Sequence, residues 1–313
     1  MHSLLELPLL GLPVRFEAED PAALDAVLAA YGEWRGLAAH PHLVPAPGEA
    51  PSARVRLRLR PPPPGGPPLE DAPPQVAVTG SRLLLAAPGA RAEAELATSE
   101  ASAVLDPRIL ADPARLRADV LDTLLLFLLT RRDRQPLHAA AVVHAGTAAV
   151  LAGPGGTGKS SLAWAAARAG LRVLSDDAVY LQLQPRLRVW GFDTPLHLLP
   201  DAAGPIPEGV PLRERGGRLK AAIPLPRDGS EPPVVERAVL CLLEPGGRRV
   251  SLQRIDPDGA IALLAESWEP GFDVFRDTLL PPLRALARAG AWRLRLSADP
   301  DEAIAAVRAV LGA

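Results

Sequence analysis

Hydrophobic positions along the first third of the chain come in short runs with period two or in short continuous blocks. VRFEA (14–18), ARVRLRLR (53–60), QVAVTG (75–80) and RLLLAA (82–87) follow this pattern and predict strands. PAALDAVLAAYGEWRG (21–36) predicts a helix instead. RPPPPGGPPLEDAPP (60–74) predicts a surface loop, because proline supplies no backbone donor and glycine is entropically costly to order. Residues 1–112 therefore read as a small α/β module with a mostly antiparallel sheet and no visible site chemistry.

Residues 113–313 read as a second, larger domain. It opens with a helix over DPARLRADVLDTLLLFLLTRR (112–132), with Asp112 as N-cap and Pro113 in the first turn. LHAAAVVHAG (137–146) and TAAVLAG (147–153) predict two strands joined by a turn. GKSSLAWAAARAG (158–170) predicts a helix ended by Gly170, and LRVLSDD (171–177) and AVYLQLQ (178–184) predict further strands. Proline- and glycine-rich connections fill 193–233. Beyond them, VVERAVLCLLEP (234–245) and RVSLQRI (249–255) predict strands, 261–268 and 276–289 helices, WRLRLSA (292–298) a strand and 299–312 a helix. Strands alternating with helices make the class α/β.

Composition narrows the function classes. The chain has 313 residues, 22% of them charged, and a formal net charge of -2, so it lacks the basic balance of a nucleic-acid binder. The lone Cys241 excludes an internal disulfide and fits a reducing cytosol. The start, MHSLLELPLLGLPVRF, has neither the positive flank nor the cleavage site of an export signal. VLDTLLLFLLT (120–130) falls short of the ~20 apolar residues that span a bilayer, so no membrane partner and a cytoplasmic location are expected. Of 34 basic residues only Lys159 and Lys220 are lysines. A compact ammonium and a planar guanidinium are not equivalent at a tight phosphate site, which draws attention to both positions.

Lys159 lies in LAGPGGTGKSSLA (151–163), which fits G-x-x-x-x-G-K-S from Gly153 to Ser160. The strand before it and the helix after it give the motif its required setting. Glycines let successive N–H groups turn toward an anion, and the helix adds its positive end. Gly153, Pro154, Gly155, Gly156, Thr157, Gly158, Lys159, Ser160 and Ser161 are thus the expected ATP-binding residues. Lys159 would reach the β- and γ-phosphates, and the Ser160 hydroxyl would ligate Mg²⁺.

Downstream, Asp176 and Asp177 end the apolar run VLSDD. Adjacent side chains leaving a strand end diverge, so one carboxylate can hold Mg²⁺ while the other accepts a proton from an attacking hydroxyl. The other reading is a turn cap at a strand end. His138 opens the strand one hairpin before the phosphate loop; it either tunes an aspartate or serves the fold alone. Lys220, in GGRLKAAIPL (216–225), either closes over the nucleotide on a loop and stabilises the transferring charge, or belongs to a solvated surface loop. Arg213, Arg215 and Arg218 are nearby alternatives.

The ordered set from 137 to 181 (histidine, hairpin, phosphate loop, one helix, aspartate pair) resembles the catalytic core of the HPr kinase/phosphorylase family, relatives of the ATP-dependent phosphoenolpyruvate carboxykinases. The resemblance implies that P-loop kinase fold, with Ser160 and Asp176 holding the metal, Asp177 as base toward a serine hydroxyl, and His138 supporting it. Bifunctional members carry a metal-binding glutamate after the core. VWGFDTPLHLLPDAAG (189–204) has none, and Asp193 is the carboxylate that would substitute. The chain is therefore more similar to stand-alone kinases of this group that phosphorylate a serine of a protein or peptide, some of which accompany peptide-maturation genes. Such proteins often form rings or dimers, so a homo-oligomer is expected. Residues 1–112 do not match the family's regulatory domain.

The expected activity is transfer of the γ-phosphoryl group of Mg²⁺–ATP to a serine hydroxyl, with Asp177, His138, Lys159 and Lys220 as catalytic residues. The same residues would serve a small-molecule hydroxyl kinase. A nucleotide-switched assembly protein without transfer is the reading from another class.

Overall fold

The computed structural model describes residues 3–44, 50–62, 69, 72–192, 194–200, 206–215, 218–225, 231–266 and 275–312. The chain is mixed α/β and divides into two compact units, Met1–Arg132 and Asp133–Ala313. No helix among the described residues is long and apolar enough to cross a membrane.

The first unit is a seven-stranded sheet with helices on one face. Its elements are β1 (Ser3–Leu9), β2 (Leu12–Ala18), α1 (Pro21–Tyr31), β3 (Ala53–Leu59), β4 (Gln75–Thr79), β5 (Arg82–Ala87), β6 (Ala90–Glu95), β7 (Glu100–Leu105), α2 (Pro113–Leu116) and α3 (Asp122–Leu129). The strand order is β1-β2-β3-β7-β6-β5-β4, parallel only at β2–β3 and β3–β7. Asp112 caps α2 by accepting from the Arg115 N–H at 3.0 Å, as its position before Pro113 predicts. The helix that begins there runs on through a wider turn at Arg117–Leu121 into α3. It packs on this unit's sheet, and the Tyr31 hydroxyl donates to Asp122 at 2.6 Å. The division between units therefore falls at Arg132/Asp133, not after residue 112, and the helix expected to open the second domain belongs to the first.

The second unit contains β8 (Gln135–Leu137), β9 (Ala139–His144), β10 (Thr147–Ala152), α4 (Lys159–Arg168), β11 (Arg172–Ser175), β12 (Val179–Gln182), β13 (Arg188–Gly191), β14 (Leu196–Leu198), β15 (Leu212–Arg215), β16 (Arg218–Ile223), β17 (Val234–Val235), β18 (Arg237–Glu244), β19 (Ser251–Arg254), α5 (Pro257–Ala265), α6 (Arg276–Ala289), β20 (Ala291–Arg295) and α7 (Pro300–Leu311). Its central sheet has the order β11-β9-β10-β18-β20-β19. Alternate residues of each central strand enter two different cores. Ala148, Val150, Leu240 and Leu242 pack with α5 and α6, whereas Ala149, Leu151, Cys241 and Leu243 pack with α4 and α7. Burial on both faces is why these strands read as continuous apolar runs. Burial also pushes the Cys241 thiol up to about 12, which leaves it inert.

Three stretches of chain are each divided between two sheets. The break between 171–177 and 178–184 matches the two strands expected there, whereas 234–245 was expected as one strand and 137–146 as one beginning at Leu137. β8, β12 and β17 belong to a four-stranded sheet ordered β17-β13-β12-β8, and their continuations β9, β18 and, running backwards, β11 belong to the central sheet. The chain passes between the sheets at His138 and at Asp176–Ala178, and, at the opposite end of the central strands, at Glu236. The segment 193–233, expected to hold only connections, contributes a third small sheet ordered β14-β16-β15.

Gly191 permits the two larger sheets to meet. A β-carbon there would lie 2.2 Å from the Leu174 carbonyl oxygen, on the strand that leads to the aspartate pair. Backbone cannot yield as a flexible side chain does. Gly191→Ala is therefore expected to destabilise the protein by about 1–3 kcal/mol, the usual cost of overpacking, as read from the midpoint of denaturant unfolding. An unshifted midpoint would remove this close approach from the account of the corner.

Candidate functional site

Strand directions decide which residues share an edge. β9 runs antiparallel to both β10 and β11, while β18 runs parallel to β10, and β20 parallel to β18. The carboxyl ends of β10, β11, β18 and β20 thus lie together with the amino end of β9. Gly153 follows β10, Asp176 and Asp177 follow β11, and His138 precedes β9. The phosphate-loop motif, the aspartate pair and the histidine all occupy the carboxyl edge of one sheet, where open α/β sheets bind their ligands. Asp176 leaves a strand two places from β10, so about 10 Å separates their strand ends.

Gly158 is the N-cap of α4, with φ +94°, a conformation that glycine adopts without strain. Lys159 and Ser160 are the first two residues of that helix, and Ser161 the third. Lys159 is buried, and its ammonium donates to the carbonyls of Gly153 at 2.7 Å and Pro154 at 3.0 Å. The Thr157 hydroxyl donates to the Pro154 carbonyl at 2.8 Å. These bonds fold the loop around the lysine, while Pro154, Gly155 and Gly156 remain exposed at its mouth.

The neighbouring aspartates diverge, as expected for a chain leaving a strand. Asp176 is buried, and its Oδ2 accepts from the His197 N–H at 3.0 Å. The β14 backbone thereby fixes that carboxylate. Asp177 instead has a side chain 49% exposed, and its Oδ1 lies 3.7 Å from His138 Nδ1. That is an ion-pair separation rather than a hydrogen bond. The pairing register explains the meeting: Leu137 lies opposite Val179 in one sheet, and Ala141 opposite Ser175 in the other. His138 and Asp177 occupy adjacent positions at the corner between those pairs.

The donor set suits a hard cation. Ser160 and Asp176 offer oxygen, and among the described residues no group of three or more His, Cys, Asp or Glu side chains gathers around a common point. A hard cation held by either oxygen would take most of its ligands from water and phosphate, as Mg²⁺ commonly does.

Lys220 lies within β16, not on a loop, because β16 pairs antiparallel with β15 and sets it opposite Arg213. Arg215 ends β15 and Arg218 opens β16. The same β16 pairs with β14, whose His197 holds Asp176. Asp193 lies outside the described residues. Two positions escaped the sequence reading: His197, whose contribution is a backbone N–H, and Gly191, whose contribution is a missing side chain. Neither role leaves a residue-type signal.

Scanned against models of known protein families, the chain matches none, and no curated protein matches it.

The two aspartates should separate in stability. Asp176→Ala leaves the inward His197 N–H without its acceptor, so a loss of about 1–3 kcal/mol is expected in denaturant unfolding. Asp177→Asn alters a half-exposed side chain and should shift stability by less than about 0.5 kcal/mol. Equal losses for the two would contradict this division.

Proposed function

We propose that the protein is a Mg²⁺–ATP-dependent kinase of the P-loop type found in HPr kinases, transferring the γ-phosphoryl group to a serine hydroxyl of a protein or peptide. The observation that carries the reading is the 3.7 Å pair between Asp177 and His138 on the sheet edge that also bears the phosphate loop. A nucleotide-binding protein needs the loop alone. A second, half-exposed carboxylate beside a histidine is what a transfer enzyme adds, since the acceptor hydroxyl must lose its proton as it attacks.

In this mechanism the amides of Gly153 to Lys159 hold the phosphate chain, and the Lys159 ammonium exchanges its loop carbonyls for phosphate oxygens. Ser160 and Asp176 would hold Mg²⁺, which when bound offsets charge on the phosphates. Asp177 takes the proton from the acceptor hydroxyl. His138 Nδ1 orients that carboxylate and carries positive charge beside it when protonated. The exposure of Asp177 suits an acceptor delivered on a larger molecule, because no closed cavity has to admit it. Lys220, on the strand next to β14, is a further cation near the Asp176 side of the site.

The test is a phosphorylation assay with serine-containing peptides and with free serine, read by mass spectrometry. Lys159→Ala should weaken Mg²⁺–ATP binding on the order of 10–100-fold through loss of charge-assisted hydrogen bonds. Asp177→Asn should keep ATP binding and lower transfer on the order of 10²–10⁴-fold. Transfer to free serine as fast as to peptides would redirect the proposal to a small-molecule kinase. Undiminished biological activity in Asp177→Asn would reject transfer altogether.

A further inference from the structure

The phosphate loop divides its sheet edge into two sides. On one side, beyond β9, lie the aspartate pair and His138. On the other side lie β18, β20 and β19, and the loop Pro245–Arg249 connects β18 to β19 by passing over the carboxyl end of β20. A nucleotide whose terminal phosphate faces the aspartates must extend the rest of its length toward that second side.

The crossing loop is tied down next to the phosphate loop. Leu296, just after β20, donates its N–H to the Glu244 carbonyl at 2.7 Å and accepts from the Gly247 N–H at 2.8 Å. Its Cδ1 lies 3.4 Å from the position a β-carbon would take on Gly158, the cap of the phosphate-loop helix. The loop's far end is held as well, by the Val250 N–H donating to Glu302 at 3.2 Å. Between these two ties stand Arg248 and Arg249, both exposed. Among the described residues neither guanidinium makes a hydrogen bond or an ion pair. Their neighbours differ: Arg293 and Arg295, on β20, are both engaged by Glu244, at 3.0 and 3.4 Å.

We propose that the Pro245–Arg249 loop is the nucleoside subsite, in which Arg248 and Arg249 lay their guanidinium planes along the base and ribose of the bound nucleotide while Leu296 forms the apolar floor beside Gly158. The inference rests on the nucleotide-binding reading above and adds the polarity of the ligand: phosphates toward Asp176 and Asp177, base over β20. A planar, weakly hydrated guanidinium stacks on a base, which a lysine ammonium cannot do. Because the backbone is anchored at both ends, binding orders only the two arginine side chains and not the loop that carries them.

Calorimetric titration of the full chain with Mg²⁺–ATP and with Mg²⁺–tripolyphosphate separates the contributions. The wild type should bind ATP more tightly than tripolyphosphate. Arg248→Ala/Arg249→Ala should weaken ATP about tenfold, the scale of one lost base-stacking contact, and tripolyphosphate by no more than about twofold, since exposed charges at this range are screened. Arg248→Lys/Arg249→Lys, which keeps the charge, should stay close to the alanine variant for ATP. Unchanged ATP affinity in the alanine variant, or equal weakening of both ligands, overturns the subsite and leaves the phosphate loop standing. Failure of the wild type to bind either ligand overturns the nucleotide reading and the subsite together.

Discussion

The second unit depends on one constraint: two stretches of chain pass between the same two sheets at a shared corner. β8 becomes β9 at His138 and β11 gives way to β12 at Asp176–Ala178. β17 becomes β18 across Glu236 at the opposite end of the central strands, where Arg237 pairs with Thr147. A strand that leaves a sheet leaves behind backbone groups that need other partners. At the shared corner the two crossings run side by side, with Leu137 opposite Val179 and Ala141 opposite Ser175. The close passage of Gly191 over the Leu174 carbonyl shows how tightly the two sheets are drawn together there. At this corner the polar side chains of His138, Asp176 and Asp177 emerge between strands that are largely apolar.

From that constraint the division of labour between the aspartates follows. Asp176 points inward and is claimed by the β14 backbone, so its position belongs to the architecture. Asp177 points outward, where the corner's other crossing supplies His138. A carboxylate fixed by backbone holds a cation steadily, whereas one that is half exposed can receive a proton and release it to solvent. The same pair of residues in a straight strand would also face opposite ways, but one of them would then be buried among apolar side chains without a polar partner.

Much of this was legible in the sequence because it is local. A glycine-rich turn between an apolar strand and an alanine-rich helix needs no tertiary information, and neither does an aspartate pair at the end of VLSD-type apolar runs. What could not be read is tertiary in origin. ARAEAE (90–95) and EASAVL (100–105) consist largely of good helix formers, yet they are β6 and β7 because Ala92, Ala94, Ala101 and Ala103 fill the inner face of a sheet. Packing outweighs a propensity of a few tenths of a kcal/mol per residue. The break at His138 lies inside an unbroken apolar run, since the residues on either side are buried in the same core although they pair in different sheets. Lys220 was expected on a loop because glycines precede it; the antiparallel pairing with Arg213 overrides that local signal.

The placement of the phosphate loop near the middle of the sheet gives the candidate site a direction that neither motif carries alone. With β9 and β11 on one flank and β18, β20 and β19 on the other, a linear polyanion held at Gly153–Lys159 has two inequivalent ends. One flank offers carboxylates, which repel phosphate unless a cation lies between them. The other offers the guanidiniums of Arg248 and Arg249, which make no hydrogen bond or ion pair among the described residues. A nucleotide in the reversed orientation would set its base against Asp177 and its terminal phosphate beside Arg248 and Arg249, an arrangement stable as binding but unable to pair a proton acceptor with the transferring group. Under the proposed reading, charge placement along the edge favours the orientation in which binding and transfer draw on different residues, with Asp177 as proposed proton acceptor on one flank of the loop and the exposed arginines on the other.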